Sequence, residues 1–200
     1  SVQRTLSGGA GTVLSLAYSA DGTQLLCGTL RNAMILWDVA SGAEIHRFEG
    51  HTSSVNSVAL SHDGQYALSG SNDSSIILWN LNTATILQRL TDEVQEQINS
   101  VAFDPTTSRI LSADKNGVVA VWTIDGTPIH YLYAHEGAIN AVAYTSDDRA
   151  ISAGTDGTLR LLDTEGDETI REDHVHSEPV NAVAVSPDGA MVLTGSDDSA

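Results

Sequence analysis

Short apolar runs alternate with short polar segments along the whole chain, and no segment shows the period of about 3.6 residues that marks a helix. In residues 54–90 the apolar runs are rich in valine, isoleucine and leucine, and turns of Ser, Asp, Asn, Thr and Gly separate them. The runs lie at 54–60, 66–69, 76–79 and 85–90. Strands of about four to six residues joined by such turns predict a small antiparallel meander.

The same meander recurs with a nearly fixed period. One five-residue phrase marks each copy, and its occurrences are Val13–Ala17, Val55–Ala59, Ile98–Ala102, Ile139–Ala143 and Val180–Ala184. Successive occurrences are 42, 43, 41 and 41 residues apart. A period in this range predicts a repeat array, in which each copy buries its apolar faces mainly against its neighbours.

Two dipeptides sharpen this prediction. The period near 42, the Gly50-His51 pair, the Trp37-Asp38 pair and the order of strands and turns resemble the WD-repeat family of β-propellers. The resemblance covers essentially the whole chain. It implies an all-β fold, either a propeller or a partial arc of one, whose blades are four-stranded antiparallel sheets set radially around a channel.

The resemblance also divides the chain, residues 1–200, into parts of one propeller region. A fourth strand falls in 1–8, four blades fall at about 9–50, 51–92, 93–133 and 134–173, and a partial blade falls in 174–200. Members of the family usually close a ring of seven blades. We therefore expect the ring to need further blades of a longer chain, although a second chain or a smaller closed ring are alternatives.

The resemblance implies a buried hydrogen-bonded tetrad in each blade, made of a His, a Ser or Thr, an Asp and a Trp. Burial of such polar groups is favourable only when they satisfy one another. The second copy supplies all four, as His51, Ser69, Asp73 and Trp79. The fourth copy supplies His135, Ser152 and Asp156, with Leu162 in place of the Trp.

The other copies depart further from this pattern. The fifth holds His176, Thr194 and Asp198, the third keeps Ser112 and Trp122 but has Val94 and Asn116, and the first keeps only Trp37 with Gly9, Cys27 and Arg31. We expect these departures to affect the rigidity of the first and third blades but not their fold, because apolar packing carries most of the stability.

A recurring Ser, His and Asp also suggest nucleophilic catalysis, which needs an exposed nucleophile beside its base. Here the trio recurs once per period beside a Trp position, so a structural role is the better interpretation. The sequence holds no phosphate loop with its Lys, no dinucleotide fingerprint and no paired cysteines for zinc. We therefore expect no enzyme activity and no catalytic, cofactor or metal site.

Partners of the family often bind the end of the propeller where the loop entering each innermost strand emerges. The residue positions that the resemblance implies for binding are Ser54, Asn56, Asn72, Gln97, Asn99, Lys115, Asn140, Thr155, Asn181 and Asp197. In the first copy these positions hold Thr12, Leu14 and Leu30. Asn recurs at one position in four copies, and it either binds a partner's backbone or amides or serves the local backbone.

The charge balance is strongly acidic, with 26 Asp and Glu against nine Lys and Arg and a formal net charge of −17. Such a surface repels nucleic acids and anionic lipid, so proteins or peptides with basic patches are the expected partners. The alternative is that the acids only keep the protein soluble. Cys27 is the only cysteine, and no apolar stretch is long enough for a membrane span or resembles a signal peptide. We expect a cytoplasmic protein without membrane insertion.

Together these observations favour a non-enzymatic protein–protein interaction scaffold. The mechanism is presentation, because stacked blades hold variable turn residues in fixed positions and a partner docks with little ordering cost. The alternative is a regulatory or sensing module of a larger enzyme or signalling polypeptide.

The tetrad assignment can be tested at Trp79. We expect Trp79→Ala to lower the free energy of unfolding by about 3–5 kcal/mol, because a large buried side chain is lost from the core. Urea unfolding measures this loss. A denaturation midpoint close to that of the wild type would show that Trp79 is not buried.

Overall fold

The computed structural model describes residues 5–6, 11–91, 94, 96–145, 149–166, 168–186 and 188–198. Its regular secondary structure within these ranges consists of eighteen strands without a helix. The strands form four antiparallel sheets of four strands and one of two strands. The predicted all-β fold of four-stranded antiparallel blades is confirmed, and we call the five sheets blades one to five.

Each blade uses its strands in chain order, from an innermost to a fourth strand. The innermost strands are β1 (Val13–Tyr18), β5 (Val55–Leu60), β9 (Ile98–Phe103), β13 (Ile139–Tyr144) and β17 (Val180–Val185). The second strands are β2 (Gln24–Thr29), β6 (Tyr66–Ser71), β10 (Arg109–Asp114), β14 (Ala150–Gly154) and β18 (Val192–Ser196). The third strands are β3 (Ala33–Asp38), β7 (Ile76–Asn80), β11 (Val118–Thr123) and β15 (Thr158–Asp163). The fourth strands are β4 (Glu44–Glu49), β8 (Thr85–Leu90), β12 (Pro128–Tyr133) and β16 (Glu168–His174).

The core lies between blades. One cluster of buried side chains joins blades one and two, where Phe48 packs against Trp79 with ring centroids 5.5 Å apart in an edge-to-face arrangement. A second cluster joins blades two and three around Trp122, and a third joins blades three and four around Leu162. In blades one to three the second and third strands are therefore buried along nearly their whole length, which explains their nearly continuous apolar sequences. No residue of β18 in blade five is buried, and the fourth strands are mostly exposed.

The polar turns that follow the innermost strands of three blades share one pattern of hydrogen bonds. In blade two the Ser61 hydroxyl donates to Asp63 at 2.6 Å, and the same carboxylate accepts the Gln65 N–H at 3.0 Å. Blades one and five repeat this arrangement at Asp21 and Asp188. These hydrogen bonds lower the pKa of all three carboxyls. Part of the acidity of the chain thus belongs to its turns.

The predicted extra strand at 1–8 lies mostly outside the described residues. Only Thr5 and Leu6 of that segment are described, and neither is in a strand. Leu6 packs on the face of blade one that carries Trp37 and Cys27. The predicted blade boundaries remain a prediction.

Candidate functional site

The tetrad of blade two forms a chain of hydrogen bonds inside the sheet. The Trp79 indole N–H donates to the Ser69 hydroxyl at 2.8 Å, and Ser69 Oγ lies 2.7 Å from His51 Nε2. His51 Nδ1 lies 3.0 Å from Asp73 Oδ2. This order fits a neutral imidazole whose Nδ1–H donates to the carboxylate while Nε2 accepts the serine proton.

Asp73 also fastens the loop that enters β5 to the turn that follows β6. Its carboxylate accepts the Thr52 N–H at 2.8 Å, the Ser75 N–H at 3.0 Å and the Ser75 hydroxyl at 2.6 Å. Burial alone would raise the pKa of Asp73, but the hydrogen bonds from Ser75 and Thr52 and the neighbouring His51 lower it to about 2. The carboxylate is therefore ionised throughout the physiological range.

The same geometry appears in blades four and five. His135 Nε2 lies 2.8 Å from Ser152 Oγ and its Nδ1 lies 3.0 Å from Asp156 Oδ2. Leu162 is fully buried in the place of the Trp. In blade five the corresponding distances, to Thr194 and Asp198, are 2.8 and 2.9 Å. The structure thus brings together all the predicted tetrad residues of these blades.

In blade three a carboxylate that the sequence pattern did not indicate joins the entry loop to the turn. Asp114, two positions before Asn116, is fully buried. It accepts the N–H groups of Glu96 at 3.0 Å, Asn116 at 2.9 Å and Val118 at 2.8 Å. Asp114 therefore joins the entry loop to the turn, as Asp73 does in blade two. The signal in the sequence was an acidic residue at the end of a strand where blade two has Ser71.

Blade one keeps one hydrogen bond of the tetrad in altered form. The Trp37 indole N–H donates to Cys27 Sγ at 3.4 Å, so the buried thiol takes the acceptor role that Ser69 has in blade two. Gly9 lies outside the described residues, and Arg31 is exposed at the turn.

The repeated Ser, His and Asp have the geometry of a structural network. The side chain of Ser69 is fully buried, and its oxygen already serves both Trp79 and His51. A nucleophile must reach its substrate, and the hydroxyls of Ser69 and Ser152 are fully buried. Among the described residues, no three His, Cys, Asp or Glu side chains come together as a metal site requires.

The predicted binding positions lie together at one end of the blades. In every blade the N–H of the turn residue after the second strand donates to the carbonyl of the residue before the innermost strand. The five pairs are Leu30 to Thr12, Asn72 to Ser54, Lys115 to Gln97, Thr155 to Ala138 and Asp197 to Pro179, at 2.9 to 3.2 Å. We use the name rim for these turn and loop residues together with the second residue of each innermost strand, which is Leu14, Asn56, Asn99, Asn140 or Asn181.

The rim residues differ in exposure. The turn residues Asn72, Lys115, Thr155 and Asp197 are exposed. Asn56, Asn99 and Asn140 are half-buried, as is Gln97, whereas Ser54 is buried. The turn side chains, together with the exposed Asn181, are therefore the accessible ones among these binding positions.

Each rim asparagine sits in a β-bulge. The pairing of β5 with β6 passes from Val55 to Ser57 and leaves Asn56 out of the ladder, and the other innermost strands skip the equivalent residue. A bulge re-aims the side chain of the skipped residue. The Asn56, Asn99 and Asn140 amides donate to the carbonyls of Ile98, Ile139 and Val180 of the next blade, at 2.9 to 3.0 Å.

A second set of hydrogen bonds accompanies the asparagines. The N–H groups of Val58, Val101 and Val142 each donate, at 3.1 Å, to a serine hydroxyl on the preceding innermost strand, namely Ser15, Ser57 and Ser100. Blades two to four are thus joined by both kinds of hydrogen bond at each junction. Leu14 lacks the amide at the junction of blades one and two, and Ala141 lacks the hydroxyl at the junction of blades four and five.

Asn56, Asn99 and Asn140 thus serve the backbone of a neighbouring blade, not the local backbone that the sequence interpretation named. Asn56 and Asn181 also use their amides within the rim, donating to Asn72 Oδ1 at 2.5 Å and Asp197 Oδ1 at 2.6 Å. A role in partner binding for the rim residues remains a prediction.

Comparison with known proteins agrees with this architecture. The family model of the WD domain, G-beta repeat, matches residues 1–38, 42–80, 85–123, 126–163 and 168–200. No helix in the part of the chain that the structure describes is long and apolar enough to cross a membrane.

Three relatives show how far the similarity extends. SIR4-interacting protein SIF2 of Saccharomyces cerevisiae is 25% identical over 191 residues, which cover 88% of this chain and 36% of that protein. Autophagy-related protein 16 of Arabidopsis thaliana is 26% identical over 198 residues, covering 98% and 30%. Ribosome biogenesis protein YTM1 of Eremothecium gossypii is 32% identical over 112 residues, covering 49% and 25%. The chain thus spans about a third or less of the length of these relatives.

The buried histidines make stability depend on pH. Burial lowers the pKa of His51 and His135 below the ordinary 6.5, against the opposing effect of Asp73 and Asp156. The unfolded chain therefore binds protons first as pH falls through about 6.5, and stability that is present above that pH is lost below it. We expect a lower urea midpoint at about pH 5.5 than at about pH 7.5. His51→Gln should reduce this decline and His62→Gln, at an exposed turn, should not; a wild-type midpoint that is no lower at the acidic pH would contradict the argument.

The junction between blades three and four can be tested at Asn99. Asn99→Ala should lower the free energy of unfolding by about 1 kcal/mol, because the Ile139 carbonyl loses its donor. Asn99→Asp should lower it further, since a carboxylate would face that carbonyl. Asn82→Ala, at an exposed turn, is the control, and urea unfolding compares the three variants. Equal midpoints for Asn99→Ala and the wild type would show that the amide does not hold the junction.

Proposed function

Because the chain belongs to the WD-repeat family of β-propeller proteins, we propose that it acts as a non-enzymatic protein–protein interaction scaffold. The proposal concerns the rim, whose residues sit at equivalent places in five blades. The names of the relatives support it: one is called a SIR4-interacting protein, and the others are named for ribosome biogenesis and autophagy.

One observation carries the proposal. The same backbone hydrogen bond fixes the rim turn to the entry loop in all five blades, while the exposed side chain on that turn changes from Leu30 to Asn72, Lys115, Thr155 and Asp197. A constant backbone with variable exposed side chains is what a presentation surface requires. A partner that docks on it needs to order little of the scaffold, which keeps the cost of binding low.

The charge of the chain bears on the class of partner. With a net charge of −17 the protein attracts proteins with basic surfaces over long range and repels nucleic acids and anionic lipid. We include in the proposal that such proteins are the partners. A cytoplasmic location belongs to the same proposal and is supported by the single cysteine, which is buried and unpaired.

The second candidate is a regulatory or sensing module of a larger polypeptide. It is favoured by the length of the relatives, since the chain matches between 25% and 36% of the three described above. In that case further blades complete the ring and the chemistry lies in other domains. The two candidates share the rim as a binding surface.

Affinity capture with rim variants tests the scaffold function. We expect the triple variant Asn72→Ala, Lys115→Ala, Thr155→Ala to lose at least one captured protein by about fivefold or more, because contact residues at the rim are removed. Quantitative mass spectrometry measures the captured proteins, and urea unfolding checks that the variant is folded.

The matched control changes three exposed residues at the opposite end of the blades, His62→Ala, Gln65→Ala and Asn82→Ala. It should capture the same proteins as the wild type. If the control variant lost captured proteins and the rim variant kept them, binding would be at the opposite end. If the wild type, the rim variant and the control captured the same proteins equally, the rim would have no part in the function.

A further inference from the structure

The rim of blade one differs in chemistry from the rims of the other blades. Leu14 and Leu30 are exposed, at 42% and 55% of their surface. They occupy the places of Asn56 and Asn72, whose side chains meet at 2.5 Å in blade two. The equivalent pair in blade five also meets through a hydrogen bond. A hydrogen-bonded polar pair is thus replaced by two leucines in blade one.

Leu14 and Leu30 are exposed for a different reason than Leu16, a nearby residue on the innermost strand of blade one. Leu16 is 60% exposed, but its equivalent Val58 is buried at 6% because a preceding blade covers it. Asn72, the equivalent of Leu30, is exposed although blade two has neighbours on both sides, and Asn56 is only half-buried. The positions of Leu14 and Leu30 therefore stay accessible when a blade is flanked on both sides.

A cationic residue follows Leu30 in the chain. Arg31 follows Leu30 on the same exposed turn. Its side chain lies against Gly11, so closely that a Cβ atom at position 11 would be 3.0 Å from Arg31 Nε. No carboxylate of the described residues forms an ion pair with Arg31. The turn itself is held by the hydrogen bond from the Leu30 N–H to the Thr12 carbonyl at 2.9 Å. Two apolar side chains and one cation are thus presented by a fixed backbone.

We propose that Leu14, Leu30 and Arg31, which we call the leucine patch, anchor a partner segment that carries an apolar side chain next to a carboxylate. This proposal rests on the scaffold function and specifies its partner. Burial of the apolar side chain against two leucines supplies the non-directional part of the binding. The carboxylate pairs with the guanidinium, which binds carboxylates with two parallel hydrogen bonds.

The acidity of the whole chain does not oppose this local preference. At physiological salt, interactions between exposed charges are largely screened beyond about 8 Å. The long-range field therefore governs encounter with basic proteins, whereas Arg31 governs which side chain fits beside the leucines at contact.

A phage-displayed library of random 12-residue peptides tests the proposal, with the 200-residue chain as bait. The comparison bait is Leu14→Asn, Leu30→Asn, which restores the polar pair of blade two and supplies the amide that faces the next blade elsewhere. We expect peptides that contain an apolar residue beside Asp or Glu to be enriched on the wild type. A synthetic peptide of the enriched sequence should bind the comparison variant with an affinity at least about tenfold lower than for the wild type.

Two further variants separate the contributions. Arg31→Glu should reverse the preference from Asp or Glu to Lys or Arg at the same peptide position. Ile86→Asn, Leu87→Asn, which changes exposed apolar residues on the fourth strand of blade two, should leave binding unchanged. Urea unfolding of each variant verifies that it is folded.

Several outcomes would overturn the proposal. They are enrichment of the same peptides on both baits, enrichment of basic or wholly polar peptides on the wild type, no enrichment, and self-association that disappears in the Leu14→Asn, Leu30→Asn variant. The last outcome would assign the patch to a second copy of the chain. If this variant still captures the proteins that depend on Asn72, Lys115 and Thr155, the scaffold function stands and only the leucine patch fails.

Discussion

The burial of each blade's apolar face against the next blade is the interaction on which the rest of this structure depends. A four-stranded sheet of this size cannot cover both its faces, so its second and third strands become a core only when neighbours flank them. Trp79 shows the arrangement, because it lies in a cluster shared with Phe48 of the preceding blade. The blades consequently differ from one another most freely at their exposed turns, some of which form the rim.

Burial imposes a second constraint, since polar groups inside the blades must satisfy one another. The constraint fixes the hydrogen bonds more strictly than the residue types. Ser69 accepts the indole proton of Trp79 in blade two, whereas Cys27 accepts that of Trp37 in blade one. In blade three Asp114 binds the backbone that joins loop and turn, without the histidine of the other blades. The same function is met by different atoms because only the geometry of donors and acceptors is conserved from blade to blade.

The bulges link the fold to the proposed function. They turn Asn56, Asn99 and Asn140 toward the next blade, where their amides tie neighbouring innermost strands together. These amides hold the rim backbone in place, and the proposed function assigns partner binding to the exposed turn residues. Blade one, where Leu14 replaces the asparagine, lacks the amide hydrogen bond to the next blade, keeps the one from the Val58 N–H to Ser15, and gains an apolar surface.

The sequence by itself determined the period and the strands of each blade, which follow from alternation, turn chemistry and residue types that recur at a fixed spacing. Its resemblance to the WD-repeat family implied the tetrad residues of the second and fourth copies. Only the tertiary structure decided that the Asn99 amide reaches Ile139 and that Asp114 takes the place of the missing turn carboxylate. Both contacts join atoms from separate strands or loops, and their distances depend on how the blades stack and where the bulges fall. A single sequence carries the residue types for such contacts, but the choice of partner is made by packing.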